Sequence, residues 1–344
     1  MTSVLLIAPS FKEPGNGIAG YVHHVGKRLE EMNMKVFYLD ADDLKKFRDD
    51  LLSNLTEPFI GYCLENNIQT LILNYSGYGY QKKGMPFWLA DLIKGVRIKT
   101  NIFVITFFHE LYASGPFFSL SFWTHKFQKH IFRKILSASH KVICSNQRVA
   151  SLIQKEDIIA ESNIYKMPIF SNIGEPIIDK LSQNRNNQMV VFGTLGLREK
   201  VYQSKFFFDY INFLAIERVI DIGSGNISIP DSSDIRLDKC GFLSDNEISE
   251  LLLISKWAAI SYPCTLLAKS GVFAAYAAHA CCVVNFDSDH DEHIYDGLKS
   301  ELHYVTPKTL LNQEIATSIS LRLYDWYQEH NIEKHIVLFS KLFK

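Results

Sequence analysis

The chain has 344 residues, 47% of them apolar and 21% charged, with a formal net charge of −1 at neutral pH. At about 150 residues per domain that is enough for two cores, and the balance excludes long disorder and a fibrous class. A near-neutral chain has no bulk field with which to hold nucleic acid, so nucleic acid is not an expected partner.

Val4–Ala8 is a continuous apolar run, followed by a Pro/Gly loop and a helical pattern over Tyr21–Met32. The next strand is predicted at Lys35–Leu39, ending in Asp40, and the theme repeats at Thr70–Leu73, Asn101–Phe107 and Lys141–Cys144. Helical patterns lie between them at Pro86–Ile93, Phe122–Leu136 and Gln147–Ile153. Strands without polar alternation, separated by helices, predict a parallel sheet covered on both faces. Gly174–Gln188 is polar and without period, and reads as a linker. A second series follows, with strands at Met189–Phe192, Arg218–Ile222, Trp257–Ile260 and Cys282–Phe286. Its helices are predicted at Lys205–Ala215, Ser244–Leu253 and Ser270–Ala280, and Ser244 with Glu247 fits a capping box. The organisation is therefore α/β: two Rossmann-like, doubly wound domains facing across a cleft, with ligands expected at the carboxyl ends of the strands. The boundaries read as 1–173, a linker over 174–188, 189–325, and a C-terminal helix within 326–344 packing back toward the first domain.

No apolar run approaches the roughly 18 residues of a spanning helix, and the first residues lack the basic start of a secretory leader. Six cysteines (Cys63, Cys144, Cys240, Cys264, Cys281 and Cys282) are scattered without a C-x-x-C pair and read as reduced core residues. The expected location is cytoplasmic. The pattern of Phe122–Leu136, with Phe122, Trp123, Phe127, Ile131 and Ile135 among Lys126, Lys129, Arg133 and Lys134, fits either a helix lying on an anionic membrane or an ordinary helix packed on a sheet. Peripheral association at the inner face of a membrane is the localisation it adds.

Gly15–Gly20 matches G-x-G-x-x-G, and Asp40 ends the next strand. The first glycine of a dinucleotide fingerprint should leave the strand directly, whereas Pro9–Pro14 intervenes. The loop reads better as one that lets a phosphate or sugar approach a helix beginning near Gly17, with Asn16 on the acceptor side. His109 and Glu110 follow a strand, at the cleft edge, and are the candidate catalytic pair. Tyr75, Tyr78 and Tyr80 follow the preceding strand and offer stacking surface for a sugar acceptor. Gly193–Lys200 supplies flexible backbone with Arg198 and Lys200, suited to a diphosphate. Lys269, Ser270 and Gly271 open a helix, another anion position. At each of these places loop packing or a solvated face is the alternative. Asp287–His293 is rich in metal-ligand types but has no second cluster, and the D-x-D patterns at Asp40–Asp42 and Asp287–Asp289 are short; no metal site is assigned.

The order of these motifs resembles the GT-B-fold glycosyltransferases of the large retaining nucleotide-sugar family, along nearly the whole chain. Gly15–Gly20 looks like that family's loop after the first strand, and His109 stands where it carries a histidine near the donor sugar. Val142–Ser145 resembles its strand leading to the hinge. Gly193–Lys200 is similar to its G-R-L-x-x-x-K-G segment, and Ile222–Gly225 to its I-x-G-x-G turn. Gly241–Ile248, with Phe242, is similar to its loop and helix beside the nucleoside. Tyr75–Tyr80 and His109–Tyr112 look like a bacterial branch seen with surface-polysaccharide genes. The resemblance implies transfer of a sugar from a nucleotide-diphosphate donor to a glycan or lipid-linked acceptor, with retention, without a cofactor or a required metal. It also implies donor contacts at Gly17, Arg198, Lys200, Gly223, Gly225, Phe242, Lys269, Ser270 and Gly271. Two departures stand out. The family's E-x7-E glutamates align with Leu267 and Ala275, and its phosphate arginine with Thr194. A GT-B protein that has lost turnover and supports a partner enzyme is the alternative these departures raise.

Overall fold

A computed structural model describes residues 2–12, 17–47, 55–113, 120–178, 185–227, 235–287, 293–309 and 312–343. In chain order the first elements are β1 (Ser3–Ile7), α1 (Gly17–Glu31), β2 (Lys35–Leu39), α2 (Ala41–Lys46), α3 (Thr56–Glu65), β3 (Thr70–Tyr75) and α4 (Gly77–Tyr80). Then come α5 (Phe87–Lys99), β4 (Phe103–Phe108), α6 (Leu120–Ala138), β5 (Lys141–Cys144), α7 (Gln147–Gln154) and β6 (Ile164–Lys166). The later elements are β7 (Asn186–Phe192), α8 (Leu195–Tyr202), α9 (Phe207–Phe213), β8 (Arg218–Ile222), β9 (Arg236–Gly241), α10 (Asp245–Ile254) and β10 (Ser255–Ile260). The last are α11 (Gly271–Ala278), β11 (Cys282–Asn285), α12 (Gln313–Gln328) and α13 (Ile332–Leu342).

Two compact units result, one of Met1–Met167 with Ile332–Lys344 and one of Pro168–Asn331. The first holds a parallel six-stranded sheet in the order β2-β1-β3-β4-β5-β6. β1 and β3 are buried along their whole length, which is why they read as unbroken apolar runs. Phe59, Leu89, Ile93, Ile131, Phe132 and Ile135 from α3, α5 and α6 cover one face of this sheet. α13 closes the unit against α1: the Tyr21 hydroxyl and His335 Nδ1 are hydrogen-bonded at 3.0 Å in the interior, and Arg28 pairs with Glu333.

The second unit holds a parallel five-stranded sheet in the order β11-β10-β7-β8-β9. Both sheets interleaved with helices are Rossmann-like, and the mixed α/β class is as expected. The unit boundary falls at Met167, ahead of the one read from composition, and β7 already starts at Asn186, inside the segment read as a linker. The polar start of that strand has partners. Asn187 Nδ2 donates to the carbonyls of Leu214 and Ala215 behind α9, and its Oδ1 accepts from the Trp257 indole at 2.8 Å. At α10 Ser244 and Glu247 form the capping box that their spacing implied.

Candidate functional site

In the first unit the candidate residues gather at the carboxyl ends of β3 and β4. The backbone N–H of His109 donates to the Tyr75 carbonyl, so the two strand ends stay paired beyond Phe108. Asn74 Nδ2 donates to the carbonyl of Ile7 at 3.3 Å, which turns its Oδ1 toward the imidazole; His109 Nε2 lies 3.1 Å away. An amide oxygen only accepts, so this arrangement puts the His109 proton on Nε2. The ring stacks on Phe107 with centroids 4.2 Å apart and meets the edge of Tyr21 at 5.5 Å. Glu110 is exposed, and its Oε2 accepts from the Ser76 hydroxyl at 2.9 Å. The structure thus brings His109 and Glu110 together with Asn74 and Ser76, two residues to which the sequence assigned no role.

The tyrosines divide. Asn74 and Tyr75 belong to β3, beyond the end read at Leu73, and Gly77–Tyr80 forms the single turn α4. Tyr75 is fully buried against Phe108 and Tyr80, and its hydroxyl finds no hydrogen-bond partner among the described residues. Burial pushes that hydroxyl's pKa above its ordinary value. Tyr80 is also buried and donates to the Asn74 carbonyl at 2.9 Å. Both are core residues, which corrects their assignment to acceptor stacking; Tyr78 is the one whose ring is exposed. Gly17 opens α1 with free space where a side chain would stand, while Asn16 lies outside the described residues. Asp40 is spent on α2, accepting from the N–H groups of Asp42 and Asp43 in a capping box. Asp42, the other member of that D-x-D, pairs with Lys12 and Lys45.

In the second unit three strand ends carry glycine turns side by side. Gly193 N–H donates to the Ile222 carbonyl at 3.1 Å, and Gly223 N–H to the Gly241 carbonyl at 2.8 Å. Gly223 has φ +145°, and a Cβ there would stand 2.2 Å from the Gly193 carbonyl oxygen, so only glycine lets these two turns meet. Arg198 lies beneath them, fully buried. Its Nη1 pairs with Asp221 Oδ2 at 2.5 Å, its Nε donates to the Gly193 carbonyl at 3.0 Å, and its Nη2 donates to the carbonyls of Ser224 and Gly225. Tyr202 donates to the other Asp221 oxygen at 3.0 Å. Burial pushes the Asp221 carboxyl above the ordinary carboxylate range, against the pull of Arg198 and Tyr202. Every nitrogen of the guanidinium is committed inside the protein. This corrects the assignment of Arg198 to the donor diphosphate: it is a pin that holds the glycine turns.

What the turns present outward is backbone, with Lys269 just before α11 and Lys200 in the last turn of α8. Thr194 begins α8 without a side-chain cap, leaving the first N–H groups of that helix open, and Gly196 has free space around its Cα. α11 starts nearby, since Val272 Cγ2 lies 3.2 Å from where a Gly193 Cβ would be. Ser270 caps α11, its Oγ accepting from Phe273 N at 3.2 Å, so it serves its own helix first; Gly271 is open. Lys200 is exposed and Lys269 half-buried, and neither has an ion pair among the described residues. Phe242, after the turn at Gly241, exposes its ring, and Gly225 takes φ +87°. Leu267 and Ala275, which align with the two glutamates of the resembled family, are both buried. Among the described residues no group of His, Cys, Asp and Glu could hold a metal; 288–292, within the acidic cluster considered above, lie outside them. No described helix is long and apolar enough to cross a membrane.

No protein-family model matches the chain, and no curated protein does. Solved structures do match over its full length. A glycosyltransferase from Rickettsia africae is 12% identical with a TM-score of 0.59, covering 100% of this chain and 99% of its own. An alpha-glucosyltransferase in complex with UDP is 11% identical with a TM-score of 0.58, covering 100% of both chains. A UDP-forming α,α-trehalose-phosphate synthase from Burkholderia xenovorans is 10% identical with a TM-score of 0.58, covering 100% and 99%. At such identities the likeness is one of fold: the chain has the two-Rossmann GT-B architecture of these glycosyltransferases.

Proposed function

We propose that the protein is a glycosyltransferase that moves a sugar from a nucleotide-diphosphate donor to a glycan or lipid-linked acceptor. The observation that carries this reading is the carboxyl edge of the second sheet. There the open start of α8, the Gly271 end of α11 and Lys269 offer backbone N–H groups and a point charge, as a diphosphate requires, and Lys200 in the last turn of α8 adds a second charge to that helix. Stabilising the departing diphosphate is the main electrostatic demand of such a transfer. Structural neighbours that bind UDP support a nucleotide donor. His109, with its tautomer set by Asn74, orients the donor sugar, and Glu110, with Ser76, orients the acceptor hydroxyl. Phe242 offers a face to the nucleobase, and Tyr78 is the exposed aromatic on the acceptor side. Retention, independence of a metal and a place in surface-polysaccharide assembly rest on the resemblance of the motifs above.

A thermal-shift panel of nucleoside diphosphates and nucleotide sugars tests the first half. A ligand at a hundred times its Kd adds about 2.7 kcal/mol, and Lys200→Ala with Lys269→Ala should abolish the shift while leaving the ligand-free melt unchanged. The second half is tested by release of nucleoside diphosphate from the stabilising donor when glycan or polyprenyl-phosphate sugars are added, with the product's anomeric configuration read by NMR. Absence of a shift with every nucleotide would overturn the donor reading. Binding without release under any acceptor would overturn transfer.

A further inference from the structure

α6 has two faces, and the outer one is aromatic. Toward the sheet it sends Ile131, Phe132 and Ile135 into the core, with Thr124 and Gln128 buried beside them. Outward, Trp123 is 64% and Phe127 55% exposed, with Phe122 next to them and Phe87 beside them at the start of α5. The Phe122 and Trp123 rings lie 5.6 Å apart and those of Phe87 and Phe127 6.4 Å apart, and Trp123 and Phe127 are neighbours one turn apart on the helix. A surface helix ordinarily turns polar residues to water; a contiguous patch of exposed rings marks an interaction surface.

Its sequence neighbourhood is cationic. From Leu111 to Lys155 the chain carries seven Lys or Arg (Lys126, Lys129, Arg133, Lys134, Lys141, Arg148, Lys155) and no Asp or Glu. Lys129 and Arg133 pair with Glu156, and Lys134 with Asp91. Lys126 stands among the rings, and Lys82 and Lys83 lie in the turn before α5, held to α6 where Gln128 Nε2 donates to the Lys83 carbonyl at 3.0 Å. These three lysines are exposed and have no ion pair among the described residues.

We propose that this face docks the protein on the surface of an anionic lipid bilayer. The rings enter the headgroup boundary, where an amphipathic aromatic is most at home, and the three lysines meet lipid phosphates. A second copy of the chain suits the patch less well: a two-fold contact would bring Lys126 and its neighbours against their own copies. Docking itself does not depend on transfer chemistry. Its consequence, that the acceptor is presented from a bilayer, does rest on the proposed function. The inner side of α6 makes the link, since Gln128 Oε1 accepts from Ala113 N and His125 Nδ1 contacts the Ala113 carbonyl, both at 2.8 Å, just past Glu110.

The test is flotation of the full chain with phosphatidylcholine vesicles, with and without phosphatidylglycerol. Binding is expected with the anionic vesicles and not with the neutral ones. It should fall about tenfold or more both in Phe87→Ser/Trp123→Ser/Phe127→Ser and in Lys82→Glu/Lys83→Glu/Lys126→Glu. Trp123 and Phe127 expose more than half of their surface, so melting curves should stay close to the wild type; if the triple variant melts early, the single Trp123→Ser is used instead. Equal binding by the variants, or no binding to anionic vesicles, overturns the proposal. So does a lipid-free dimer that the serine substitutions dissociate, or duplex DNA that displaces the vesicles from the same face.

Discussion

Replacing Arg198 by Met separates a structural pin from a phosphate ligand. The guanidinium is fully buried, pairs with Asp221 and ties down the carbonyls of Gly193, Ser224 and Gly225. Removing it leaves a buried carboxylate whose remaining side-chain partner is the Tyr202 hydroxyl. Breaking one side of such a pair is destabilising by about 3–5 kcal/mol. With each kcal/mol shifting the melting of a domain of this size by about 2–4 °C, the second unit should melt roughly 6–20 °C lower with no nucleotide present. Arg198→Lys should fall between, because one ammonium cannot span a carboxylate and three carbonyls. Arg198→Met combined with Asp221→Leu should recover much of the loss, since a buried ion pair exchanged as a whole for apolar groups is close to neutral. The assay is calorimetric melting of the ligand-free chain beside a nucleotide titration. An Arg198→Met protein that melts like the wild type but no longer binds nucleotide would refute the reasoning and return the arginine to the ligand.

Three further outcomes follow from the same geometry. Gly223→Ala should destabilise by about 3 kcal/mol in urea unfolding, because its Cβ would meet the Gly193 carbonyl oxygen at 2.2 Å from a φ of +145°; Gly196→Ala, in open space at the start of α8, should be nearly neutral. His279 is buried, contacts the Ala275 carbonyl through Nδ1 and Ser249 Oγ through Nε2, and burial depresses its pKa to about 4 from an ordinary 6.5. The unfolded chain therefore binds the extra proton first. The contribution, on the order of 3 kcal/mol, is complete above about pH 6.5 and is lost as the pH falls toward 4; melting from pH 7.5 to 4.5 should show it, and His279→Gln should flatten that slope. Asn74→Leu removes the acceptor facing His109 Nε2, so nitrogen NMR of the imidazole should report a mixture of tautomers in place of the Nε2–H form.

The parts of the fold legible in the sequence were those that carry apolar runs. β1 and β3, with strands on both sides and helices over both faces, carry unbroken apolar runs, and Lys35–Leu39 beside β1 and Lys141–Cys144 beside β4 were found with their ends in place. The strands that escaped notice, β6 and β9, are each an outer strand of their sheet, as are β2 and β11, whose apolar residues revealed them. With a partner on one side only they remain half-open, and Arg-Leu-Asp-Lys-Cys-Gly in β9 has no apolar run to reveal it. The candidate site shows the same limit in another form. A sequence shows which polar residues follow a strand but not which way each turns, so Arg198 and Tyr75 looked like ligand groups until the structure placed both in the interior. For Arg198 the signal lay in the pairing: five residues past the Gly193 turn, on α8, it is one helical turn from Tyr202, and both reach Asp221 at the buried end of β8. A buried carboxylate among Val219, Ile220 and Ile222 at the end of β8 requires an opposite charge, and the nearest one that a short helix can deliver is no longer available to a phosphate. Any anion at this edge must therefore be met by lysines and backbone N–H groups, which bind as point charges and dipoles, without the bidentate geometry that an arginine would impose.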